Sequence, residues 1–224
     1  MTAVIAFDVN ETLLDLSALD DAFHDLFGDS ALRPQWFAQM LQLSFIGGLT
    51  GEYVDFTTAQ HAALRMLAER TGTALRDDQA RTIVEAMSSL PPHPEVHEAL
   101  ARLNRTPLTM AALTNSIQSV AGAQLEHAGL RGFFDAVISA DTVSKLKPSP
   151  EPYRALAGHF DVPVSDVRLV AAHAWDVSGA LAAGCRAALV KRPGVVASPI
   201  GRQPDITGRD IAEVVDRIMT VDLG

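Results

Sequence analysis

Hydrophobic residues along this chain fall into two patterns, short continuous apolar runs and longer stretches in which apolar positions return every three or four residues. The first run, Val4-Ile5-Ala6-Phe7, has the character of a strand buried on both faces. From residue 16 to about residue 90 the pattern turns helical, with segments at 17–27, 34–46, 52–71 and 77–89. Gly28-Asp29-Ser30, Gly47-Gly48 and Thr71-Gly72 divide them. Leu90-Pro91-Pro92-His93-Pro94 then forms a stiff connector that no helix can run through. Beyond it, strands are expected at 108–113, 136–139, 167–172 and 187–190, alternating with helices at 95–104, 117–128, 151–160, 177–183 and 209–219. This alternation predicts an α/β fold, a doubly wound parallel sheet with helices on both faces. The long helical stretch after one strand predicts an inserted module, which divides the chain into a core domain of residues 1–15 and 92–224 and a helical domain of residues 16–91.

Polar residues gather where these strands end. Asp8 follows the first, Thr114 and Asn115 the second, Lys147 lies in the loop after the third, and Asp176 follows the fourth. In open α/β sheets the carboxyl ends of the strands form the ligand crevice, so the four placements converge on one site. A simpler reading exists for the first of them, because Asp8 and Asn10 also suit a turn in which both bond the backbone. The joint pattern favours a site. Lys147 precedes Pro148 in a loop that Ser149-Pro150 and Pro152 stiffen, which suits a positioned lysine better than a solvated one.

Composition narrows the classes. The chain has 224 residues, 48% of them hydrophobic, enough for a core domain with an appendage. Its net charge of -9 and lack of a basic cluster argue against nucleic acid or an anionic membrane as partner. No apolar run approaches the roughly 20 residues needed to span a bilayer, and no leader-like segment precedes the first strand. The single cysteine, Cys185, lies in an Ala/Gly-rich segment that reads as buried packing. A soluble protein in a reducing, cytoplasmic setting is expected.

Four stretches carry a resemblance: FDVNETLLD at 7–15, LTN at 113–115, SKLKPSPEPY at 144–153 and AHAWDVSGA at 172–180. In order and spacing the chain resembles the haloacid dehalogenase superfamily, and within it the type II 2-haloacid dehalogenases. The resemblance implies a Rossmann-like core with a helical cap inserted after the first strand. It implies Asp8 as nucleophile, Thr12 and Thr114 as hydrogen-bond donors near it, and Asn115 at the substrate carboxylate or acyl oxygen. Lys147 would steady the Asp8 carboxylate, Tyr153 would line the site, Asp176 would hold Lys147 or the attacking water, and Trp175 would form an apolar wall. A carboxylate stripped of water in a closed pocket can attack an sp³ carbon in line, giving an ester that is then hydrolysed. The implied reaction turns a small 2-substituted carboxylic acid into a 2-hydroxy acid with loss of halide, without cofactor or metal. The resemblance also favours a homodimer, for which apolar stretches such as residues 41–46 offer one surface.

The chain departs from the pattern it resembles at several points. Superfamily phosphatases carry a second acid where this chain has Asn10, and a metal-binding acid where it has Ala172. An amide cannot protonate a leaving group and a methyl cannot ligate Mg²⁺, so a metal-dependent phosphatase is disfavoured. Dehalogenases carry Tyr-Gly where this chain has Asn10-Glu11, which puts Asn10 against the substrate. They also carry an arginine after a cap tryptophan; aligning Trp36 with that tryptophan puts Phe37 at the arginine, with Arg33 one turn earlier as a substitute or a surface residue. A Ser-x-Asn is replaced by Ala171 and His173, and the imidazole is a candidate for stabilising an anion or accepting a proton from water. These changes leave ring opening of azetidine-2-carboxylate, an activity known among relatives, as an alternative to dehalogenation. A noncatalytic binding protein is the alternative from another class, against which Asp8, Lys147 and Asp176 argue.

Overall fold

The computed structural model describes residues 2–224. Its sheet is built from β1 (Val4–Phe7), β2 (Thr109–Thr114), β3 (Ala136–Ser139), β4 (Val167–Ala171), β5 (Arg186–Val190) and β6 (Ile206–Gly208). All neighbours are parallel, in the order β3-β2-β1-β4-β5-β6. The chain winds outward from β1 through β2 to β3, then crosses to the other side of β1 for β4. Successive connections therefore diverge at the carboxyl ends of β1 and β4, and this opens the crevice.

The period-two alternation of each strand explains how both faces are buried. In β1, Ile5 and Phe7 join one apolar cluster and Val4 and Ala6 the other. On the first face α5 (Val96–Leu103), α6 (Gln118–His127) and α9 (Ile211–Leu223) supply Leu100, Leu125 and Val215. On the second, α7 (Pro150–His159) and α8 (Ala174–Ala183) supply Leu156 and Ala180.

Between β1 and β2 the chain leaves the sheet to form α1 (Asp20–Phe27), α2 (Leu32–Thr50), α3 (Phe56–Thr71) and α4 (Asp77–Ala86). The outgoing and returning segments lie side by side: Asp15 N–H donates to the Pro91 carbonyl at 2.8 Å and His93 N–H to that of Leu13 at 2.9 Å. Trp36 ties these helices together, packing on Phe23 of α1 and donating its indole N–H to the Gln60 carbonyl of α3 at 3.0 Å.

Three local expectations need correction. Gly47-Gly48 does not end a helix; α2 runs through it to Thr50 and stops at Gly51, whose φ of 80° terminates it. Gly47 is needed for close approach instead, since a Cβ there would lie 2.7 Å from the Glu52 carbonyl oxygen. The helix expected from residue 177 begins at Ala174 with His173 as its N-cap residue, so Trp175 and Asp176 stand in the first turn of α8. Finally β6 was not anticipated: three residues are too few for periodicity to register. Cys185 is buried, as expected of a packing residue, and burial pushes its thiol up to about 12. Among the described residues no helix is long and apolar enough to cross a membrane.

Gly179, in the middle of α8, shows how tightly the core supports the crevice. A Cβ there would meet Pro148 Cβ at 2.5 Å, Tyr153 Oη at 2.7 Å and the Pro148 carbonyl oxygen at 2.8 Å. These atoms belong to the segment that carries Lys147, so the helix trades about 1 kcal/mol of helix propensity for proximity to it. Gly179→Ala is expected to destabilise the protein by about 1–3 kcal/mol through overpacking. Thermal unfolding checks this, and an unchanged midpoint would show that the loop yields freely.

Candidate active site

Asp8 leaves β1 still paired with the sheet, its N–H donating to the Val170 carbonyl of β4 at 2.9 Å. The chain then turns sharply, with Leu13 and Leu14 N–H both donating to the Val9 carbonyl. That turn brings Thr12 back over Asp8: the Thr12 hydroxyl donates to Asp8 Oδ2 at 2.7 Å and accepts the N–H of Ala172 at 2.9 Å. Lys147 reaches the same carboxylate from the loop after β3. Its ammonium, fully buried, donates to Asp8 Oδ1 at 2.9 Å, Asp176 Oδ2 at 2.6 Å and the Leu113 carbonyl at 2.8 Å. All three protons are thereby satisfied, as a buried ammonium requires. Tyr153 donates to Asp176 Oδ1 and so fixes the second carboxylate.

Electrostatics separates the two acids. Burial disfavours the charge of Asp8, but the Lys147 charge and the hydrogen bond and charge of His173 outweigh it, holding the carboxyl well below its usual range. Asp176 is raised, because burial and the nearby charge of Asp8 oppose its ionisation more than Lys147 favours it. Lys147 is raised above its ordinary value: burial works against the ammonium, and the charges of Asp176 and Asp8 prevail. For Tyr153, burial and Asp176 together keep the phenol protonated. The outcome is an ionised Asp8 in a nearly closed site, with its charge matched by a fixed cation.

His173 joins the group that sequence placed at the strand ends, and its surroundings are specific. Nδ1 is 3.2 Å from Asp8 Oδ2 and Nε2 is 2.8 Å from Glu11 Oε2. Burial opposes its protonation, but hydrogen bonds to Asp8 and Glu11 and the charges of both push it up to about 9. The ring stacks with Phe37 at 5.7 Å and with Trp175 at 5.2 Å, and Trp175 in turn packs edge-on against Phe45 of α2. Phe37 thus reaches the site from the cap side as an apolar wall. The Trp175 indole N–H is buried with no partner.

Other expected residues take supporting positions. Both ends of the Asn115 amide are spent on Lys147: Nδ2 donates to its carbonyl at 3.1 Å and Oδ1 accepts its N–H at 2.8 Å. This fixes the lysine's backbone and leaves the second N–H of Nδ2 without a protein partner among the described residues. Thr114 is buried beside the site, and its hydroxyl accepts the Ser116 N–H at 3.1 Å rather than bonding Asp8. Asn10 is buried, donating to Ser116 Oγ at 3.2 Å and accepting from Gln124 Nε2 at 2.9 Å. With its amide oxygen engaged, with Ala172 offering no donor and with Asp8 already bonded by Lys147, Thr12 and His173, the residues present do not fit a Mg²⁺ site. Among the described residues no group of three or more His, Cys, Asp or Glu is placed to hold a metal.

Three participants were not foreseen. Gln124 is a polar residue on the buried side of α6, between Ala121 and Leu125, and that position is a signal the sequence carries. Ser116 completes the Asn10 bonds. Glu11 is the third, with a φ of 59° that gives no mark in the sequence. Arg33 binds Asp20 at 2.5 Å and lies 3.5 Å from Glu11 Oε1, so it is neither a plain surface residue nor in contact with Asp8. Glu11 and Arg33 also border a cavity of about 350 Å³ shared with Asp15, His93, Ala172 and Arg192, between the inserted helices and the sheet.

The chain matches the model of the haloacid dehalogenase-like hydrolases over residues 2–184. It is 32% identical over 214 residues to (S)-2-haloacid dehalogenase 2 of Pseudomonas sp. strain CBS-3, covering 92% of each chain. It is 31% identical to the (S)-2-haloacid dehalogenase of Pseudomonas sp. strain YL, covering 96% of this chain and 94% of the relative. Among solved structures, the L-2-haloacid dehalogenase of Xanthobacter autotrophicus superposes with a TM-score of 0.91 at 26% identity, covering 99% of each chain. By its sequence and by its sheet with the inserted helical cap, the chain belongs to the haloacid dehalogenase-like hydrolase family.

Proposed function

We propose that this protein is a 2-haloacid dehalogenase, in which Asp8 displaces halide from the α-carbon of a small carboxylic acid and the resulting ester is hydrolysed to the 2-hydroxy acid. One observation carries the reading: a buried, ionised Asp8 whose charge is fixed by Lys147 while Thr12 and His173 hold its other oxygen. Loss of hydration makes such a carboxylate a competent nucleophile toward carbon. Asp176 and Tyr153 hold the lysine in place, and Asn115 holds its backbone. Relatives bearing the name (S)-2-haloacid dehalogenase support the substrate class.

The geometry favours one of the two roles weighed for His173. In an in-line displacement the leaving atom departs on the side of the carbon opposite Asp8, whereas His173 Nδ1 flanks Asp8 and Nε2 is occupied by Glu11. His173 is therefore assigned to the hydrolysis of the ester. For the leaving atom, the unpaired indole N–H of Trp175 is the available donor, with Phe37 and Phe45 closing the apolar wall. We place the cap at residues 16–91 and the core at 1–15 and 92–224. A cytoplasmic setting suits the lone buried thiol, and a homodimer suits the exposed Ile46 and Leu49 at the end of α2.

Incubation with halogenated 2-carboxylic acids, azetidine-2-carboxylate and phosphate esters, each with and without EDTA, tests the reading. Halide release is expected from the haloacids and should survive EDTA. Phosphate release that depends on added Mg²⁺ would overturn the proposal, and ring opening without halide release would move it to the C–N alternative.

A second outcome concerns His173. His173→Asn should lower turnover by at least about tenfold, within the range that a positioned acid–base group usually contributes. Because the folded-state value is raised to about 9 from 6.5, protonation of His173 stabilises the native protein fully below about pH 6.5, and that stabilisation is lost as pH rises through about 9. The stability advantage of wild type over His173→Asn should shrink across this window in denaturant titrations. A gap that stays level across this window would show that the buried imidazole is already neutral there.

A further inference from the structure

Glu11 is left without a task by the chemistry above. It adopts a φ of 59°, where a residue with a side chain pays on the order of 1 kcal/mol. Its carboxylate nevertheless reaches inward to His173 Nε2, while its other oxygen faces Arg33, which is anchored to Asp20 on α1. The peptide carbonyl of Glu11 is in turn 3.3 Å from His93 Nε2. His173 consequently lies between two carboxylates, one at each ring nitrogen, with the rings of Phe37 and Trp175 stacked upon it.

Resting on the aspartyl-ester reading, we propose that Glu11 is a positioning residue for the second half-reaction: it holds His173 by Nε2 so that Nδ1 takes the proton of the water that attacks the Asp8 ester, and the charge on Asp8 decides when Nδ1 is free to do so. The charged groups facing His173 are few. Asp8 and Glu11 touch it; Lys147, with Asp176 behind it, touches Asp8; Arg33 touches Glu11; Phe37 and Trp175 present only rings. While Asp8 is a free carboxylate, both ring nitrogens donate and the imidazole is a cation. Ester formation removes one of the two anions, and burial, which already opposes the cation, then gains weight. Glu11 keeps Nε2 protonated, so the proton is lost from Nδ1, the nitrogen beside Asp8.

The steps balance. Asp8 forms a bond to the substrate carbon as the carbon–halogen bond breaks, and the halide leaves together with the Nδ1 proton. Water then adds to Asp8 Cγ and gives a proton to Nδ1. Collapse breaks the bond from Cγ to the oxygen that bears the substrate carbon, and Nδ1 returns its proton to that oxygen, which leaves as the hydroxyl of the product. The acid proton remaining on Asp8 passes to Nδ1, restoring the carboxylate and the imidazolium. One halide and one proton are released per turnover.

Two variants isolate the carboxylate. Glu11→Gly removes it at a backbone conformation that glycine adopts freely, so its effect is not one of strain. Glu11→Gln keeps an acceptor for Nε2–H and removes only the charge. Rapid-quench experiments with (S)-2-chloropropionate follow chloride and intact protein mass together. Glu11→Gly is expected to release its first equivalent of chloride within about threefold of the wild-type rate, then turn over at least about tenfold more slowly with ester accumulating on Asp8. Glu11→Gln should recover part of that turnover and move the acid limb of the kcat profile to lower pH. If Glu11→Gly slows the first chloride equivalent as much as steady turnover, or turns over like wild type without ester, the proposal fails while the ester reading stands. Chloride release with no ester detectable in wild type, Glu11→Gly or His173→Asn would overturn both.

Discussion

An ammonium ion shut away from water has to be surrounded by acceptors, and in this protein three neighbouring strands, β2, β1 and β4, provide them around Lys147. The lysine comes from the loop after β3, one carboxylate from the end of β1, the second from the first turn of α8 after β4, and a carbonyl from β2. Desolvating such an ion costs several kcal/mol, and that cost is offset only while both carboxylates stay in place. Removal of either partner strands a buried charge, at a cost of about 3–5 kcal/mol. Strand order, helix start and reactive group are thus tied to one another: shifting any of them breaks the charge balance that keeps the centre buried.

The same constraint divides labour between the acids. Two carboxylates that share one lysine cannot be equivalent when one has further donors. Asp8 gains Thr12 and His173 and stays ionised; Asp176 has Tyr153 and lies in the field of Asp8, so its ionisation is opposed. A pair of acids driven apart in this way assigns its own roles, one to react and one to hold. The aromatic wall of Phe37, Trp175 and Phe45 adds what the charges cannot, a water-poor boundary on the open side of Asp8.

Much of this is readable in the chain because strands buried on both faces leave polar residues only at their ends. Asp8, Lys147 and Asp176 could be placed on one sheet edge by that rule, and the helical insert by the absence of any strand between residues 16 and 90. What escaped detection depends on contacts across long separations or on backbone conformation. Asn115 has the right residue type for a substrate carboxylate, and only the fold reveals that its amide also clamps the Lys147 backbone, accepting the N–H and donating to the carbonyl. Gly47-Gly48 reads as a break until the Glu52 carbonyl is found against it. Glu11 occupies a left-handed φ where glycine would be easier, so nothing local announces that its carboxylate turns inward.

The central claim is that Asp8 itself becomes bonded to the substrate carbon. A single turnover in H₂¹⁸O with enzyme in excess decides it. The account predicts that the first product carries the ordinary oxygen of Asp8 and that one heavy oxygen appears in the Asp8 carboxylate, located by peptide mass spectrometry. Heavy oxygen in the product of that first turnover, with none in Asp8, would mean that water attacks the substrate directly and would contradict the account.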